Sequence, residues 1–179
     1  MGPQNDKVKG CQPFIAEQVE LDGFQPVDPW KSAERSETKR NLPHLQAPEF
    51  TYFVTFRCRR GLSLPEAARE IALSAIRHWD GVRLDLDAAV VMPDHVHLIL
   101  RILGGWSLNA VLQSVKGYSA RSINALLSRK GPFWLDESFD HVIRHAQELE
   151  EKIDYIRQNP VTRGLAASSR EYRWLWIKK

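Results

Sequence analysis

The sequence predicts one α+β domain, a mainly antiparallel sheet with helices packed on it, preceded by an extension. Three observations carry this. Stretches rich in aromatic and β-branched residues are intermixed with helical periodicity, without a regular βαβ repeat. At 179 residues the chain is long enough for one filled core and too short for two. Its 43% hydrophobic and 26% charged residues are an ordinary globular balance, which excludes a chain disordered throughout.

Six of the ten prolines fall in the first 48 residues, among polar and charged stretches without sustained periodicity. Residues 1–47 therefore read as an extension, docked in part through Phe14, Ile15, Phe24 and Trp30, and residues 48–179 as the domain. Phe50-Thr51-Tyr52-Phe53-Val54-Thr55-Phe56 reads as the first strand. Ser63-Leu64-Pro65-Glu66 has capping-box spacing, and Ile71, Ala75 and Trp79 then recur as one helical face. Residues 88–91 and 96–100, interrupted by Met92-Pro93-Asp94, read as a broken strand or a strand pair. Ser107 is the expected cap of a second helix through Leu108, Val111, Leu112 and Val115, with Gly117 as a break and Gly131-Pro132 as its end. A last helix is expected over 147–159, stopped by Pro160.

Composition narrows the function. Cys11 and Cys58 match no metal-ligand spacing and cannot form a disulfide framework, which points to a reduced, cytoplasmic setting. No apolar run approaches the roughly 20 residues of a membrane helix, so no membrane partner is expected. The net charge of +3 is mild. Its distribution says more: residues 101–135 carry Arg101, Lys116, Arg121, Arg129 and Lys130 and no acidic side chain, a pattern that favours a polyanion.

Two groups of residues carry chemistry. In Asp94-His95-Val96-His97-Leu98, the histidines stand at i and i+2 of a strand, so both imidazoles share a face and are expected to lie parallel, as half of a divalent-metal site. Val96, Leu98 and Leu100 supply the opposite, buried face. In Asp154-Tyr155-Ile156-Arg157-Gln158-Asn159-Pro160, Tyr155 and Asn159 are i, i+4 neighbours beside the stripe of Leu149, Ile153 and Ile156. If the two faces meet, Asn159 offers an oxygen ligand and Tyr155 a nucleophilic oxygen.

Together these residues resemble the HUH single-tyrosine transposases, and within them the REP-associated branch. Met92-Pro93-Asp94-His95-Val96-His97-Leu98 is similar to the family's histidine motif. Tyr155-Ile156-Arg157-Gln158-Asn159-Pro160-Val161 with Gly164-Leu165 is similar to its nucleophile helix and the turn after it. Phe133-Trp134, the run Phe139-Asp140-His141-Val142-Ile143-Arg144, and Glu171-Tyr172-Arg173-Trp174 follow in matching order, so the resemblance spans about 50–179. It implies a ferredoxin-like fold, Mg²⁺ or Mn²⁺ as cofactor, and strand cleavage leaving a 5′-phosphotyrosine and a free 3′-hydroxyl. His95, His97 and Asn159 would then be metal ligands and Tyr155 the nucleophile. Many relatives carry glutamine where this chain has Asn159, and the shorter amide would reach the metal directly or through water.

The implied partner is single-stranded or hairpin DNA, handled by a monomer or a homodimer. Lys116, Arg121, Arg129 and Lys130 are the expected phosphate contacts, with Tyr118 and Trp134 as candidates for base stacking. Tyr118 is also a rival nucleophile, and His141 a candidate acid-base group. Three other readings compete: a rolling-circle replication initiator, a catalytically silent hairpin-binding protein, and a hydrolase that forms no protein–DNA adduct.

Overall fold

The computed structural model describes residues 50–179; the expected extension, residues 1–47, lies outside them. The elements run β1 (Thr51–Arg57), α1 (Glu66–Arg77), β2 (Leu84–Val91), β3 (His95–Ile102), α2 (Leu108–Leu126), β4 (Phe139–Ile143), α3 (Ala146–Thr162), a 3₁₀ turn (Ser169–Glu171) and β5 (Leu175–Ile177). They form the expected α+β sandwich: one five-stranded sheet, ordered β4-β1-β3-β2-β5, in which every neighbouring pair is antiparallel.

The first four strands and two helices have the ferredoxin-like order βαββαβ. β1 to β2 and β3 to β4 are split crossovers. Because such connections are right-handed, and β1 and β3 run in opposite directions, both helices fall on the same face of the sheet. That face is apolar: Val54, Phe56, Val96, Leu98 and Leu100 are fully or almost fully buried. The loop after α2 joins this layer through Trp134, whose ring meets Phe56 edge-on and whose Nε1 donates to Ser119 Oγ of α2 at 3.0 Å. The other face is left for α3, which packs on β2, β3 and β5.

Residues 88–91 and 96–100 are the strand pair rather than one broken strand, a hairpin closed by Met92 N donating to His95 O at 2.8 Å. Several other local expectations are corrected. α1 begins after Pro65 with no side-chain cap, so Ser63 does not form the capping box its spacing promised. α2 runs through Gly117 without a break, and Ser107 does cap it, accepting from Ala110 N at 3.1 Å. Pro160 does not stop α3. The proline forfeits the bond its own N–H would have made, and two further helical residues and the Arg163 cap follow before Gly164, at φ +66°, turns the chain.

Candidate active site

β3 puts His95 and His97 on the sheet face opposite the apolar layer, beneath α3, where they are only 1% and 2% exposed. The rings share a face, as alternation requires, but they are not parallel: their centroids lie 4.6 Å apart and their planes are inclined by 72°. Each Nδ1 is held by a different neighbour. His95 Nδ1 lies 2.6 Å from Asp94 Oδ1, and His97 Nδ1 lies 2.7 Å from the buried Thr55 hydroxyl, directly across the β1–β3 ladder. The hydrogen bond from His95, ahead of the charges of His95, Arg163 and Arg57, draws the Asp94 carboxyl down to about 2. Asp94 is then ionised and can only accept, so His95 Nδ1 is the donor of this bond, and in the neutral ring that tautomer leaves a lone pair on Nε2. The Thr55 hydroxyl can accept from His97 Nδ1–H, and in that tautomer His97 likewise presents a bare Nε2.

α3 brings the second group. Tyr155 Oη lies 3.5 Å from His97 Nε2, and the two rings meet edge-on with centroids 5.2 Å apart. Phe53 holds both, stacking on His97 at 5.4 Å and meeting Tyr155 edge-on at 6.0 Å. One turn on, Asn159 is 8% exposed, and its Oδ1 is buried without a hydrogen-bond partner. Such an oxygen costs on the order of 1–3 kcal/mol unless something meets it. Among the described residues no three His, Cys, Asp or Glu side chains form a metal cluster. The donors available are two imidazole nitrogens and this amide oxygen, a mixed nitrogen and oxygen set that fits a divalent cation.

Positive charge surrounds the site from residues the sequence reading did not single out. Arg57 is the cross-strand partner of His95, and Arg163 follows Asn159 by one turn, on the stripe of Tyr155 and Asn159. Burial first, then the charges of His95, Arg57 and Arg163, hold the His97 imidazole well below its ordinary range. Thr55, Phe53 and Arg57 were hidden in a strand legible only as apolar; their role appears once the β1–β3 register is known. Asp94 was visible beside His95 but carried no signal of its own.

The other expected site residues lie elsewhere. Lys116 sits on α2, in the layer across the sheet, where Nζ donates to Asp136 O at 2.9 Å and Ser138 Oγ at 3.2 Å; burial lowers its pKa. Arg129 bonds Asn124 and, at 3.4 Å, the Pro132 carbonyl, bracing its own loop. Arg121 and Lys130 are exposed. Tyr118, on α2, is separated by the sheet from the histidines of its own chain. Trp134 is buried in the core, so no base can stack on it. His141 Nε2 lies 2.6 Å from Glu148 Oε1 and ties β4 to the start of α3.

Comparison with known proteins agrees with this fold. A family model described as IS200-like transposase matches residues 54–159, more than half of the chain. A solved structure of a REP-associated tyrosine transposase bound to a REP hairpin aligns with a TM-score of 0.64 at 21% identity, over 75% of this chain and 80% of that one. A protein of Deinococcus radiodurans R1, provisionally named a transposase, aligns with a TM-score of 0.44 at 20% identity, over 66% and 95% of the two chains. Comparison with curated proteins yields no match.

Proposed function

The chain belongs to the IS200-like transposase family, and we propose that it cuts and rejoins single-stranded DNA through a 5′-phosphotyrosine formed at Tyr155. The observation that carries this reading is the Tyr155 hydroxyl 3.5 Å from His97 Nε2, with the buried, unpaired Asn159 oxygen one turn further along α3. A phenol presented to a buried pair of imidazoles, with cations around it, is arranged to attack a phosphate.

His95, His97 and Asn159 would hold Mg²⁺ or Mn²⁺, which when bound supplies Lewis-acid polarisation of the scissile phosphate. The chain's own residues do the rest. Phe53 and His97 fix the Tyr155 ring, so its oxygen is positioned before substrate arrives. Attack of Tyr155 Oη on phosphorus breaks the bond to the 3′ oxygen. The phenolic proton ends on that oxygen, leaving a free 3′-hydroxyl on one strand and the 5′ end of the other on tyrosine. One phosphodiester replaces another, so a second 3′-hydroxyl reverses the step and joins a new strand. Arg57 and Arg163 would meet the phosphate oxygens, whereas Arg121 on α2 and Lys130 after it would contact DNA only away from this site. The structural neighbour held with a REP hairpin supports hairpin or repeat DNA as the substrate. In this reading the protein meets it in the cytoplasm, as a monomer or a homodimer.

The test uses a labelled single-stranded hairpin with Mn²⁺. The wild type is expected to carry the 5′ end through denaturing electrophoresis, and EDTA to abolish the product. Tyr155→Phe keeps the ring and its packing and should form no adduct. Adduct in that variant sinks the assignment. Cleavage without adduct in the wild type establishes the hydrolase reading, and binding without cleavage the silent one.

A further inference from the structure

The helix layer carries a surface that the Tyr155 site does not use. Between α1 and α2 lies a groove of about 400 Å³, lined among others by His78, Trp79, Gln113, Tyr118 and Arg121. No carboxylate lines it, and α2 holds no acidic residue along its length. Gly117 contributes no side chain there; the Arg121 Nη1 atom lies 3.5 Å from where one would begin, so the guanidinium extends along the space that the glycine leaves. Tyr118 stands at the rim with 56% of its surface exposed, between this groove and a second depression walled by Ile71, Trp174, Glu66 and the Glu70–Arg173 ion pair, so its acid-free side is the one that faces the groove.

The aromatic surface continues past the groove. The Arg83 guanidinium is sandwiched, 3.5 Å from the Trp79 ring centroid and 3.9 Å from that of Trp106. Trp106 follows Gly104 and Gly105, both in the left-handed region at φ +60° and +73°, and it is clamped on Arg83 while still 41% exposed. The protein thus fixes one aromatic ring and presents another at its surface, with a guanidinium between them and no negative charge in the groove.

We propose that this groove binds unpaired nucleotides of the DNA, with bases stacking on Tyr118 and Trp106 and a phosphate meeting Arg121. It forms a second strand-binding site on the sheet face away from Tyr155. The proposal rests on DNA being the protein's substrate. Exposed ring faces can be used by bases only where these are unstacked from a duplex, and stacking contributes about 1–3 kcal/mol per base whatever the sequence. An acidic peptide would be served by the cation and would leave the rings uncovered. A hydrophobic partner would meet Gln113, Ser114 and Arg121 in the groove.

Binding of a fluorescent, unstructured dT oligonucleotide by the full chain tests it. Tyr118→Ala should weaken binding about fivefold or more, the lower bound of one lost stack. Arg121→Gln should reduce the log-log salt slope by about 0.7. Photo-crosslinking of bromodeoxyuridine oligonucleotides to the wild type, which depends on no variant folding, should label peptides containing Tyr118 or Trp106. Unchanged affinity and slope in variants that melt like the wild type, or crosslinks confined to the α3 face, overturn the proposal. The hairpin adduct is scored separately. Adduct without groove crosslinks rejects the groove alone, whereas groove crosslinks without adduct leave it standing and reject the cleavage chemistry.

Discussion

Asn159 sets the terms at the scale of single residues. Its amide oxygen is buried and unpaired, so in the metal-free protein it is a cost rather than a contribution. Asn159→Ala should therefore change metal-free stability by less than about 1 kcal/mol, as relief of the unmet oxygen offsets the small cavity. The same substitution should remove the rise in melting temperature that Mn²⁺ gives the wild type, because a cation that binds only the folded state stabilises it by mass action. Melting curves with EDTA and with Mn²⁺ read both effects. A variant that loses several kcal/mol in EDTA, or keeps the full Mn²⁺ shift, would show that the amide serves the fold. Thr55 and Asp94 act one step back, each holding the Nδ1 of one histidine and so orienting its Nε2 edge.

At the scale of elements, what the sequence made legible was whatever depends on local periodicity. The histidine strand, the α2 cap and the Tyr155–Asn159 stripe all follow from spacing alone. β4 and β5 went unread because they are short and only partly buried, so neither shows clean alternation. Ser63 misled because Pro65 already presets the first turn of α1, and Gly117 because tertiary packing carries α2 through it. Long-range pairing was not legible at all. Thr55 meets His97 across 42 residues; of the basic residues of 101–135, Arg101 is taken up on β3 by Asp85, while Lys116 and Arg121 lie on α2, in the layer across the sheet from the histidines. The Ser107 cap is one local device with a measurable value. Ser107→Ala leaves the Ala110 N–H unpaired and should cost about 1 kcal/mol, read as a lower urea midpoint with unchanged slope. No loss would mean that water replaces the hydroxyl.

At the scale of the whole molecule, the sheet is a barrier with an uncharged histidine locked on one side, and that makes stability depend on pH. His97 is fully buried and held well below its ordinary range, first by desolvation and then by the charges of His95, Arg57 and Arg163. In the unfolded chain it titrates near its ordinary value of about 6.5. Below that pH the unfolded state binds a proton that the folded state refuses. His97 therefore leaves stability intact above about 6.5 and erodes it as pH falls, by up to about 1.4 kcal/mol per pH unit until the folded form also protonates. Asp94 acts in a separate window. Its folded carboxyl lies at about 2, so its contribution is present above its ordinary value of about 4 and is lost as pH falls from there toward 2. Between pH 6.5 and 5 the slope should belong mainly to the buried imidazole. Urea midpoints across that interval should fall for the wild type and stay nearly level for His97→Gln, which has no group to protonate there. Equal slopes in the two proteins would place the proton uptake on another residue and show that His97 is accessible to protons in the folded state, contrary to its burial beneath α3.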